Sequence, residues 1–299
     1  MSSSSNTTRL LNCLIALATK TPDFPHPLYD KGFQLETIEP NILLLDGHSA
    51  NPDIQFKKND NQLVFFECKD GACRTDQLER YKKLTLEDII RGKASSLPGE
   101  RLNLFDLAYF GTKEKEEKLM HSARQDGNPF PIVLLDEHRI SWQQASGRFK
   151  DPLLSEIFTQ IDFERSVPTT FIPFCASDDD DIIIVCLLQQ FLQKFEYSFT
   201  LDELLDDLFS HIINHYSVKG KDEMKGRIGR LLKTIMTHEE FSSFLSYDTN
   251  TRKFSFKTMA PVTYKRKCEK FIEDCEKMKK EGKIAKLDDF LGSDKKAWL

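Results

Sequence analysis

A chain of 299 residues that is 39% hydrophobic and 30% charged, with 13 Gly, 12 Pro and 7 Cys, has the mix of a folded globular protein. It is too rich in Leu, Ile, Val and Phe to be disordered throughout, too poor in Gly and Pro to be fibrous, and holds no apolar run near the ~20 residues of a membrane span. The formal charge of −5 excludes a histone-like wrapper of nucleic acid, yet it is unevenly spread: 20 basic and 13 acidic residues leave +7 over 219–299, and 22 basic and 34 acidic leave −12 over 1–218. A length near two domain sizes predicts two domains, 1–174 and 182–258, with an acidic linker at 175–181 and a charged helix or tail at 259–299. The cysteines at 13, 68, 73, 175, 186, 268 and 275 form no Cys-x-x-Cys, which argues against a disulfide framework or structural zinc and for a reducing, cytoplasmic setting.

At the N-terminus, Arg9 ahead of Leu10–Ala18 loosely resembles a secretory leader, but the stretch is short and broken by Asn12, so a first helix over 10–20 is expected. Pro22, Pro25, Pro27 and Gly32 break that helix, and Ile42–Leu45 before Asp46-Gly47 predicts a strand and turn. Asp53–Lys58 and Leu63–Lys69, on either side of Asn59-Asp60-Asn61, predict a hairpin. Leu78, Tyr81, Leu84, Leu86 and Ile89 recur at helical spacing, which predicts one helix over 75–90 capped by Thr75. An apolar patch at 102–110, a charged helix at 113–124 and strands at 131–135 and 169–172 follow.

Beyond the linker the pattern is helical: 182–195, then 200–210 with Thr200 and Glu203 spaced as a capping box, then 222–236. Strand, turn and strand at 244–256 complete the order of a winged helix. Lys219, Lys221, Lys225, Arg227, Arg230 and Lys233 crowd its third helix and Arg252 sits at the wing, the places expected to meet DNA. His211 and His215 are spaced i, i+4, but no third ligand stands near, so they read as ordinary histidines.

If the hairpin turns about Asp60, positions whose numbers sum to 120 face each other, so Asp53 lies across from Glu67. Lys69 shares that face, while Phe66 and Cys68 point the other way. Two carboxylates so close repel, and a hard divalent cation is the usual remedy, which points to Mg²⁺ or Mn²⁺. Pro52-Asp53 followed by Glu67-Cys68-Lys69 at the end of an apolar strand resembles the PD-(D/E)xK motif of the restriction-endonuclease-like nuclease superfamily. The resemblance covers about residues 35–135 in order of elements and only these few positions in identity.

That resemblance implies an α/β fold with a mixed sheet and an αβββαβ core, followed here by the mostly helical winged-helix domain. It also implies metal-dependent hydrolysis of a phosphodiester, with Asp53 and Glu67 as ligands, the main-chain carbonyl of Cys68 as a third, Lys69 at the attacking water or scissile phosphate, and Gln77 positioning either. Such nucleases often carry another acid upstream; the first helix offers none, which leaves Glu36 or Glu39. The implied partners are DNA, a second copy of the chain that lets two sites cut two strands, and a protein of a defence or transposition system, with no membrane. A non-catalytic DNA-binding or assembly subunit on the same scaffold and an RNA-cutting enzyme with the same metal site are the alternatives.

Overall fold

The computed structural model of the chain describes residues 5–59, 61–92, 102–193, 198–237 and 245–256, with six isolated positions between 263 and 273. Apart from those six positions the expected charged helix or tail at 259–299 lies outside these residues, as does most of the loop from Gly92 to Gly99. Two compact units are formed, one of residues 6–172 and 211–221, the other of the described residues in 1–5, 173–210 and 222–299. The architecture is mixed α/β.

The first unit opens with α1 (Asn6–Leu17) and the short α2 (Pro27–Asp30). Then come β1 (Phe33–Ile38), a separate two-stranded ribbon of β2 (Ile42–Leu43) and β3 (Ser49–Ala50), β4 (Ile54–Lys58) and β5 (Gln62–Lys69). Two helices follow, α3 (Thr75–Lys83) and α4 (Leu86–Arg91), and then β6 (Leu104–Thr112), α5 (Glu116–Gln125), β7 (Ile132–Leu135), β8 (Arg139–Trp142), α6 (Pro152–Ile157) and β9 (Ile161–Asp162). Among the described residues one sheet runs in the order β1-β4-β5-β6-β7-β8-β9. The central pairs β5–β6 and β6–β7 are parallel and the flanking pairs antiparallel.

The period of two along the central strands divides the core between two faces. Leu63 and Phe65 of β5 with Phe105, Leu107 and Tyr109 of β6 bury one face against Leu78, Tyr81, Ile89, Leu119 and the β2–β3 ribbon. Phe56, Phe66 and Phe110 line the other, their rings meeting edge-on at 6.1 and 6.4 Å, and α1 packs across β5 and β6. Gly111 serves one close approach, because a Cβ there would lie 2.8 Å from Leu119 Cδ2, which would have to shift, and 3.3 Å from the carbonyl of Lys69.

The hairpin register is as expected, with Ile54 opposite Phe66, Gln55 opposite Phe65 and Phe56 opposite Val64. Several expected elements differ. The strand placed at 42–45 belongs to the small ribbon, and β1 takes the sheet position beside β4 instead. The helix expected over 75–90 is broken after Lys83, because Thr85 and Asp88 form a capping box that starts α4, and Thr75 lies inside α3 rather than capping it. Residues 169–172 form no strand. Asn12, buried in α1, accepts from the N–H groups of Phe171 and Ile172 at 3.1 and 2.9 Å and donates to the Ile172 carbonyl at 2.8 Å, so a side chain replaces the ladder.

The second unit holds α7 (Asp180–Gln193), β10 (Ser198–Phe199), α8 (Leu201–Phe209), most of α9 (Val218–Thr237), β11 (Leu245–Asp248) and β12 (Lys253–Phe256). Its strands pair in the order β10-β12-β11. Thr200 and Glu203 make the expected capping box at the start of α8. The second unit resumes at 173, and of the acidic stretch 175–181 the first part is a packed turn while Asp180 and Asp181 open α7. Cys175 and Asp178 are each 2% exposed, and Asp178 accepts from the Cys175 N–H at 3.0 Å.

Candidate active site

Asp53 stands at the foot of β4 behind the buried Pro52, and its N–H donates to the Phe66 carbonyl at 3.0 Å, extending the hairpin by one step. That bond lies one residue off the register that ends with Ile54 opposite Phe66, and it leaves Asp53 close enough to Glu67 for the two charges to interact. Its Oδ2 accepts from the Cys68 N–H at 2.6 Å. In an extended strand the N–H and C=O of one residue leave the same edge, so the Cys68 carbonyl also faces the Asp53 side. Burial first, and the neighbouring Glu67 charge second, hold the half-buried Asp53 carboxyl well above the usual carboxylate range; the Cys68 N–H and Lys69 oppose this.

Glu67 is 3% exposed. Its Oε1 accepts from Lys69 Nζ at 2.7 Å and Gln77 Nε2 at 2.8 Å, and its Oε2 accepts from the Tyr81 hydroxyl at 2.5 Å. Lys69 Nζ also donates to Gln77 Oε1 at 2.5 Å, so the Gln77 amide bridges base and acid. The Tyr81 oxygen in turn accepts from Gln77 Nε2 at 3.0 Å. Burial and the Glu67 charge push the Tyr81 phenol far up, so it stays a donor. Glu67, Lys69 and Gln77 are thus bonded to one another, and Asp53 lies near enough for the Glu67 and Lys69 charges to act on it. Tyr81 was missed there as a site residue, although its i+4 spacing from Gln77 puts both on one face of α3.

Of the two upstream acids, Glu36 is taken up elsewhere: it bonds to Lys57 Nζ at 2.7 Å and sits in the β-bulge between Leu35 and Thr37. That extra residue shifts the β1 register by one, so that Ile38 faces Ile54. Glu39 then follows opposite Asp53, its N–H donating to the Asp53 carbonyl at 2.8 Å, and its charge adds to the upward pressure on Asp53. Its φ of 53° is left-handed, a costly state for a residue with a Cβ.

A divalent ion suits this donor set. Two hard carboxylates lie close enough for one to raise the other, Asp53 lacks full compensation for its charge, and the Cys68 main-chain oxygen leaves the strand on the Asp53 side. Among the described residues no group of three or more His, Cys, Asp and Glu is gathered into a ready cluster, and at this site the groups that could hold an ion are Asp53, Glu67 and the Cys68 carbonyl. His211 and His215 lie on a 3₁₀ turn, Ser210–His215, where i and i+4 do not share a face; His215 Nδ1 is 3.3 Å from the Glu36 carbonyl.

The basic residues of α9 divide by role. Arg227 is consumed within its unit, donating to Asp180 Oδ1 at 2.8 Å, to the Ala176 carbonyl at 2.5 Å and to the Asp178 carbonyl. Lys225 pairs with Asp202. Lys219, Arg230 and Lys233 are exposed, Lys221 is half-buried, and Arg252 is exposed at the β11–β12 turn with φ 57°. Among the described residues no helix is long and apolar enough to cross a membrane.

A family model, the MJECL32 domain, matches residues 6–172. The chain belongs to the MJECL32 domain family. The match coincides with the contiguous part of the first unit, so the acid pair, Lys69, Gln77 and Tyr81 all lie inside the MJECL32 domain. The uncharacterized protein MJECL32 of Methanocaldococcus jannaschii is 28% identical over 188 residues. That alignment takes in 58% of this chain and 42% of the relative, so the chain spans less than half of that protein's length. No solved structure matches.

Proposed function

We propose that the chain is a metal-dependent endonuclease of the PD-(D/E)xK type acting on DNA. One observation carries the reading: Glu67, Lys69 and Gln77 are bonded to one another, and Asp53, held by the Cys68 N–H, lies within reach of the Glu67 and Lys69 charges. The order α1, β1, β4, β5, α3, β6, with β5 and β6 parallel, supports a restriction-endonuclease-like αβββαβ core. The order α7, β10, α8, α9, β11, β12 supports a winged helix. The exposed Arg230 and Lys233 on its third helix favour DNA over RNA as substrate.

Asp53 and Glu67 would hold the ion, with the Cys68 carbonyl as a further oxygen. A divalent ion bound there supplies an acidified water and neutralises a non-bridging phosphate oxygen. Lys69 orients the attacking water or steadies the scissile phosphate by charge. Gln77 fixes the ammonium and the Glu67 carboxylate in one geometry, and Tyr81 holds the second Glu67 oxygen so that the first is aimed at the site.

The test is plasmid incubation with Mg²⁺, Mn²⁺ or EDTA, beside Glu67→Gln and Lys69→Met. Metal-dependent nicking is expected, reduced at least about 10²-fold in each variant. Binding without cutting under any metal favours a second reading, a non-catalytic DNA-binding or assembly subunit. Its specific support is that both Glu67 oxygens already have partners and that residues 1–218 carry −12. RNA and single-stranded substrates in the same assay decide the nucleic acid.

A further inference from the structure

We propose that a polar cleft beside Gln77 receives the phosphate of the nucleotide next to the scissile one, an inference that rests on the nuclease reading. The cleft measures about 380 Å³ and, among the described residues, is lined by Gly47, His48, Ser49, Asn51, Gln77 and Arg80. That volume falls within the roughly 300–1,000 Å³ of ligand clefts. Its chemistry is one-sided: amide, hydroxyl, imidazole and guanidinium groups line it, with no carboxylate and no large apolar side chain. Such a surface suits an anion with hydroxyl-bearing neighbours and suits neither a metal ion nor an apolar molecule.

Two of the lining residues tie the cleft to the acid pair. Gln77 bonds to Lys69 and Glu67, and Asn51 precedes Asp53 by two residues. A strand with one phosphate in the cleft therefore presents an adjoining linkage to Asp53 and Glu67. Charge gives the cleft its purpose, since a polyanion approaching residues 1–218, which carry −12, needs a local positive rim. Arg80, 37% exposed, supplies it: its Nη2 lies 3.3 Å from Asp76 Oδ2, and Arg74 shares that same carboxylate oxygen at 3.3 Å, so two guanidinium groups meet one acid. The opposite wall is fixed in place. The Leu45 N–H donates to Asp88 Oδ1 at 2.8 Å, Lys83 pairs with Asp46 at 3.1 Å, and Gly47 turns the ribbon at φ 84°.

Fluorescence anisotropy of the full chain in EDTA, with a short labelled single strand of DNA and its RNA counterpart, tests the cleft. Arg80→Gln is expected to weaken binding about tenfold and to flatten the salt slope by about 0.7. His48→Ala, on the other wall, is expected to weaken it about 2–10-fold. Lys118→Gln, which removes an exposed charge from α5, is expected to change it by less than about twofold. Loss on DNA, RNA or both identifies the strand received. Equal effects at Arg80 and Lys118, or no binding by the unsubstituted chain, overturn the cleft. Metal-dependent cutting with an Arg80→Gln KM equal to that of the unsubstituted chain overturns the cleft alone. Arg80-dependent binding with no cutting overturns the nuclease reading instead.

Discussion

The carboxylate of Glu67 shows how one buried acid is kept in a sheet core: each oxygen has a donor from α3, and Lys69 adds a charge beside them. Removing the Tyr81 hydroxyl leaves Glu67 Oε2 and Gln77 Nε2 each one partner short. Tyr81→Phe is therefore expected to cost about 1–3 kcal/mol in urea denaturation, and an unchanged midpoint would contradict the bond. Asp53 poses the opposite case, because its raised carboxyl makes ionisation a cost to the fold. The cost is absent below the ordinary carboxylate range, where the folded and unfolded states are both protonated, and it grows as pH rises from there through the raised folded value. Asp53→Asn is thus expected to raise the thermal midpoint of the metal-free protein near pH 8 and to leave it unchanged near pH 3, as scanning fluorimetry would read. Saturating Mn²⁺ should reverse the order, stabilising the unsubstituted chain by about 2.7 kcal/mol at a hundredfold excess over Kd and the variant by little. Stabilisation of both alike would remove Asp53 from the metal set.

At the scale of elements, the packing of α1 against 171–172 depends on Asn12, and Asn12→Leu strands two buried N–H groups. A loss of roughly 2–4 kcal/mol is expected in chemical denaturation. Gly111→Val should cost about 1–3 kcal/mol, because the added side chain crowds Leu119 Cδ2 and the Lys69 carbonyl. The same elements show what a single chain reveals about itself. The hairpin register, and with it the nearness of Asp53 to Glu67 and Lys69, was readable because alternation and a short turn fix it locally. The start of α4 was readable too, in Thr85 and Asp88, yet the apolar spacing across the break masked it. Residues 169–172 were not, since their partner lies some 160 positions away and is a side chain. Nor was the bulge at Glu36, which alone brings Glu39 opposite Asp53: a one-residue slip leaves no mark in composition or periodicity.

Across the whole molecule, the positive charge of the second unit is not interchangeable from one residue to the next. Reversing Arg230 and Lys233 to Glu is expected to weaken DNA binding at low salt by at least about tenfold with the fold intact. Arg227→Ala should instead destabilise its unit by about 1–3 kcal/mol, because the Ala176 and Asp178 carbonyls lose their donor. Circular dichroism melts beside gel shifts separate the two outcomes, and identical behaviour would refute the division of roles. The first unit also draws its last piece, 211–221, from beyond 38 residues of its neighbour: Tyr216 bridges to Ile38 and the Ser217 N–H donates to the Ile38 carbonyl. On the ribosome this half of the protein therefore remains unfinished after residue 172 has emerged. At ordinary synthesis speeds it waits roughly 2–10 s for its final segment, so the first unit is completed only after 173–210 of the second have been made and before 222–299 have.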